Sequence, residues 1–276
     1  MDEFIIRIFT SQWWVFFFVL FILGTAAEFG FRSGLRLSRN SDEKSRSLLS
    51  SLQASVLGLL ALLLGFSFSM AVDRYDQRRD LVVSEANSIG TTYLRAALLP
   101  DKERQAIRGL LHQYIGKRLE FYDADRNADQ IAAAERQGAA IQQAMWAHTL
   151  NAGKLYNTPL TAAFVTALNE TFDRDTEQLA AMRNYVPAPV WVLLIFVAFC
   201  GVGITGYDAG ASGKRMWFNQ TLLPLLIATV ITILVDLDSP RRGLVGISQE
   251  SLIELEHNLG LLDEPSGDKN QWGVAR

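Results

Sequence analysis

Residues 48 to 80 read LLSSLQASVLGLLALLLGFSFSMAVDRYDQRRD, and from Leu48 to Val72 the chain carries neither a charge nor a proline. At ~1.5 Å of rise per residue, a helix over this stretch is long enough to cross a hydrocarbon layer of ~30 Å. No proline separates it from DRYDQRRD. The helix is therefore expected to leave the membrane and run on into water.

Two faces of this helix differ in character. Ala54, Gly58, Ala61, Gly65 and Ser69, followed by Val72, fall on one narrow stripe. Their small-xxx-small spacing lets membrane helices approach closely. About a quarter-turn away run Leu59, Leu62, Phe66 and Met70, ending at Asp73. Periodicity leaves two readings of the bulky face open: an ordinary contact within a helix bundle, or the apolar constriction of a pore made by several copies.

Working outward, Trp13 and Trp14 anchor a first span that runs to about Phe31, and Glu28 and Arg32 near its far end are spaced for a helical ion pair. After the second span, Val82, Ala86, Ile89, Tyr93 and Ala96 recur every three or four residues and carry the helix to Leu99, where Pro100 ends it. Asp101 is expected to cap the next helix. An Ala/Gln-rich helix follows from about Ala128 to Thr149; Asn151, Gly153 and Asn157 mark a turn, and Thr158 with Pro159 opens another helix. A third span runs from Val190 to about Thr205, with Gly201, Gly203 and Gly206 suited to close packing. After the connection GYDAGASGKR, a fourth span runs from Trp217 to Val235. Ser248 is placed to cap a short amphipathic helix, and the tail beyond Gly260 is expected to be disordered.

These patterns predict an all-α membrane protein: four transmembrane helices, with a helical extramembrane bundle inserted between spans two and three. The expected divisions are 1–72 for spans one and two, 73–188 for the bundle, 189–236 for spans three and four, and 237–276 for the amphipathic segment and tail. Hydrophobic content of 49 % hides this architecture, because the apolar residues concentrate in four blocks.

Charge excludes some partners. A net charge of −3, and 14 Lys+Arg against 15 Asp+Glu over 73–188, leave no basic stripe for nucleic acid. Cys200 is the sole cysteine, and His112, His148 and His257 are too scattered to hold a metal, so neither cofactor nor metal is expected. A nucleophile elbow would need a second glycine where Gly65-Phe66-Ser67-Phe68 is followed by Ser69. A phosphate-binding loop would need glycine at Asp208 and Ser or Thr at Arg215. No enzyme is expected.

Two charged clusters remain. Asp73, Arg74, Asp76, Arg78 and Arg79 stand where the second helix emerges; they either anchor it by pairing along the helix or form a vestibule that concentrates ions. Asp236, Asp238, Arg241 and Arg242 follow the fourth span; the carboxylates either bind a hard cation through oxygen or end the helix and pair with arginines of the first cluster. Sidedness is contested. The two short loops of a four-span chain carry seven Lys/Arg, which favours a cytoplasmic position for them, yet Arg74, Arg78 and Arg79 weigh on the opposite side.

The stretches GLLALLLGFSFSMAVDRYDQRRDLVVSEANSIGTTYLRA and ILVDLDSPRRGLVGISQESL resemble the bacterial bestrophin-like membrane protein family of unknown function, and the likeness runs from about residue 10 to 260. The resemblance implies a homo-oligomeric ion channel in the bacterial inner (plasma) membrane, with cytoplasmic termini and a cytoplasmic helical domain. It implies a pore lined by the second helix, with an apolar neck at Leu62, Phe66 and Met70. No run of consecutive acidic residues after span four matches a calcium clasp, and no residue match carries over anion selectivity. The expected partners are further copies of the chain, the lipid bilayer and inorganic ions. The competing expectation is a membrane-anchored scaffold or sensor that acts through the bundle and conducts nothing.

Overall fold

In the computed structural model, which describes residues 12–37, 43–124, 128–213, 217–239 and 246–263, the elements are all helices. They are α1 (Gln12–Leu37), α2 (Glu43–Arg95) with a 3-10 turn (Ala96–Leu98), α3 (Asp101–Asp123), α4 (Ala128–Leu155), α5 (Pro159–Arg183), α6 (Ala188–Ala211), α7 (Trp217–Asp238) and α8 (Glu250–Asp263). Stretches within four of these helices are long and apolar enough to cross a bilayer: Trp13–Leu37, the early part of α2, α6, and Gln220–Asp238. The 53-residue α2 runs without a break, as the uninterrupted sequence after Val72 requires. The chain divides into two compact units, with boundaries after Asp76, Arg183 and Gly246.

The first unit holds α1, the early part of α2, α6 and α7. Its core is Val19, Leu23, Ala26, Leu60, Ala198, Val202, Ala228 and Ile231. Small residues set the approach of α1 to α6. A methyl added at Gly30 would overlap the carbonyl oxygen of Gly203, and one at Gly34 would stand 2.9 Å from the Ala211 nitrogen. Reciprocally, a methyl at Gly206 would lie 3.0 Å from the Ala27 carbonyl carbon, and one at Gly210 would lie 2.9 Å from that of Phe31. Membrane helices gain their contact from such backbone proximity, because lipid offers no hydrophobic drive between them. This also corrects the expected end of span three. The segment GYDAGA remains helical to Ala211, since packing against α1 outweighs the ~1 kcal/mol that each helical glycine costs. Glu28 and Arg32 form the expected ion pair at 2.7 Å.

The second unit holds the later part of α2 with α3, α4, α5 and α8. Val82, Ala86, Ile89, Tyr93 and Ala96 line its core with Ile107, Leu111, Tyr114, Phe121, Met145, Phe164 and Leu168. Three local expectations change. Asp101 is the first helical residue, the N-cap position belongs to Pro100, and no side-chain cap bond forms there. Asn151 and Gly153 do not turn the chain: α4 reaches Leu155 because Ala152 is fully buried in the core. α8 extends to Asp263, past Gly260, and plants Leu252 and Leu259 in the same core. At the helix starts, Thr158 Oγ1 accepts the Thr161 N–H at 3.3 Å, as expected of a cap. Ser248 Oγ instead accepts the Glu250 N–H at 3.3 Å from one residue before the N-cap position, which belongs to Gln249.

Candidate functional site

Within the first unit the faces of α2 have different fates. Leu60, Ser67 and Ala71 are buried against the chain's own helices, and Leu57 lies close to Gly201. Gln53 Nε2 donates to Thr205 Oγ1 at 3.1 Å, pinning α2 to α6 by a polar contact in an apolar setting. The other two faces are bare. Leu62 and Phe66 are 54 % and 65 % exposed, and Met70 is half-buried. Ala54, Gly58, Ala61, Gly65 and Ser69 are all exposed, and a methyl added at Gly58 or Gly65 would meet nothing within 4 Å. The close glycine packing of the single chain thus lies between α1 and α6, whereas the small stripe of α2 is uncovered.

At the end of the apolar run, Asp73 and Asp76 are exposed while Arg74 is drawn inward. Its guanidinium lies 3.7 Å from the Met70 sulfur and 4.0 Å from an Asp238 carboxylate oxygen. Both oxygens of Asp238 accept the Val186 N–H, at 3.0 and 3.1 Å. This carboxylate therefore ties the segment entering α6 to the end of α7. Asp236 is buried as well. Among the described residues no three Asp, Glu, His or Cys side chains converge to hold a metal; Arg241 and Arg242 lie outside the described residues.

The second unit holds Arg78, which is 1 % exposed and whose Nε donates to the Ala181 carbonyl at 3.1 Å, and Arg79, which is exposed. It also contains a network that the sequence did not single out. Arg118 forks onto Glu85, with its Nη2 3.1 Å from Oε2, and pairs through Nη1 with Asp175 at 2.7 Å. Tyr122 donates to the same Glu85 oxygen at 3.1 Å, while Gln142 Nε2 donates to Asp175 at 2.7 Å and to the Tyr114 hydroxyl at 3.3 Å. Two carboxylates share one guanidinium in a dry site. Burial raises the Glu85 carboxyl above the usual range, with Arg118 opposing and Asp175 reinforcing the rise. Burial also raises the Tyr122 phenol, with Glu85 reinforcing, so it stays a donor. Desolvation opposes the charge on Arg118, but Glu85 and the other partners outweigh it and hold the guanidinium above its ordinary value. A signal was present: Glu85 and Arg118 interrupt otherwise apolar stripes at Val82–Ala86–Ile89 and Leu111–Tyr114–Ile115–Tyr122.

A crystal structure of a bacterial bestrophin homologue from Klebsiella pneumoniae, carrying one substitution, superposes with a TM-score of 0.65 at 15 % identity, covering 91 % of this chain and 99 % of that one. At that identity the likeness shows the fold. No curated protein matches the chain. The model of the Bestrophin-like domain matches residues 15–252. Running from within α1 through α7 and into α8, that match places the chain in the bestrophin-like family.

Proposed function

We propose that the chain is the subunit of a homo-oligomeric ion channel of the bacterial inner membrane. The early part of α2 lines the pore, and Leu62, Phe66 and Met70 form an apolar constriction. The 73–188 region is the extramembrane bundle inserted between spans two and three, and the termini share its side of the membrane.

The observation that carries this reading is the division of α2 into one face buried on its own chain and two that are bare. A stripe with room for a second helix adjoins a row of bulky apolar side chains. Copies packed through Ala54, Gly58, Ala61, Gly65 and Ser69 would turn Leu62 and Phe66 toward a common axis, where apolar rings gate ions by excluding water. Family membership supports the same reading. Reconstitution of the full chain in liposomes tests it. Ion flux is expected from the wild type, and Phe66→Ala is expected to raise it by widening and wetting the neck. Absence of flux from a correctly assembled wild type would leave the scaffold or sensor reading in its place.

A further inference from the structure

We propose that Asp73 sets the charge selectivity of this pore and makes small inorganic cations its permeant class. The inference rests on the conduction reading above.

The reasoning starts from helical phase. Asp73 follows Phe66 by seven residues and Leu62 by eleven, so at about 100° per residue it falls within about 20° of each. The first charge after the apolar run therefore continues the proposed lining face, and its side chain is exposed. Arg74, its neighbour, is turned about 80° from Phe66 and about 120° from Leu62. Its guanidinium is also engaged, lying beside the Met70 sulfur at 3.7 Å and the Asp238 carboxylate at 4.0 Å. Asp238 is held in place by the Val186 N–H. The nearest positive charge is thereby withdrawn from the lining face and balanced by a buried carboxylate.

What the emerging helix presents along the lining direction is the Asp73 carboxylate, and exposed Asp76, about 40° from Leu62 and about 80° from Phe66, flanks it one turn later. Repeated around an axis, one carboxylate per subunit makes a ring at the mouth of a low-dielectric constriction. Such rings concentrate cations and repel anions, with local enrichments of tenfold or more.

The test uses the full-length protein in liposomes under a KCl gradient, and reads the potassium-to-chloride permeability ratio from the reversal potential. Wild type is expected to favour potassium by about tenfold or more. Asp73→Asn, which keeps the shape of the side chain, is expected to bring the ratio several-fold toward unity. Asp73→Lys is expected to push it toward chloride. If the lysine variant fails to assemble on size-exclusion chromatography, the asparagine variant decides alone. Flux with the same ratio in wild type and Asp73→Asn overturns the role of Asp73 and leaves conduction standing, as does a wild type that prefers chloride. No flux from assembled wild type overturns both readings.

Discussion

Replacing Arg118 with methionine removes the cation between the buried Glu85 and the partly exposed Asp175 while keeping much of the side chain's apolar length. Arg118 is 5 % exposed, Glu85 is fully buried, and Asp175 is 14 % exposed. Without the guanidinium, Glu85 keeps the Tyr122 hydroxyl at 3.1 Å, and Asp175 keeps Gln142 at 2.7 Å. Stripping one partner from a buried ion pair costs about 3–5 kcal/mol, because the remaining charge is left in a dry site. At roughly 2–4 °C per kcal/mol, the purified full-length protein should melt about 6–20 °C lower in detergent. Adding Glu85→Leu should recover much of that loss, since the uncompensated charge goes with it, and the partly exposed Asp175 still has Gln142. The sign with pH follows from burial raising the Glu85 carboxyl. Its contribution to stability is present below the ordinary carboxyl range and is lost as the pH rises through its folded value. Removing Arg118 takes away the influence that held that value down, so the deficit of the variant should shrink on acidification. An Arg118→Met protein that melts within 2–3 °C of wild type, or a double variant whose losses simply add, would refute this account of the network.

The remaining predictions concern packing and assembly. Gly30→Val should lower the melting temperature more than Gly24→Val, because Gly30 abuts the Gly203 backbone while the space at Gly24 is open. A cost of at least about 1–3 kcal/mol is expected, since backbone cannot move aside as a side chain can; equal melting of the two variants would contradict it. Gly65→Leu should leave the single chain folded yet change the oligomer, because a side chain there meets nothing of its own chain. An unaltered oligomer mass by light scattering would count against the small stripe as the contact between copies. Asp238→Ala should cost about 1–3 kcal/mol by leaving the buried Val186 N–H without its acceptor. Urea or thermal melts that match wild type would show that the tie is dispensable.

How much could be read from residues alone follows from what each feature depends on. Helix content, the apolar spans and the unbroken run of α2 past Val72 depend on neighbours three or four residues apart and on the absence of proline, so the chain by itself determined them. The Glu28–Arg32 pair was legible for the same reason. Features decided by partners distant in sequence were not. Helix ends at Leu155 and Ala211 lie beyond the residues that usually stop a helix, because Ala152 reaches a core and Gly206 and Gly210 press on the backbone of α1.

The same division holds for the candidate site. Order and spacing alone determined that Leu62, Phe66 and Asp73 share one side of a helix and that small residues line another. Only the tertiary structure decided that both sides are bare in the single chain, that Arg74 and Arg78 are turned away and engaged, and that Glu85, Arg118 and Asp175 meet. A periodic pattern fixes direction around one axis. Which direction is covered depends on where other helices lie, and that is set by packing between residues more than a hundred positions apart, as between Arg74 and Asp238.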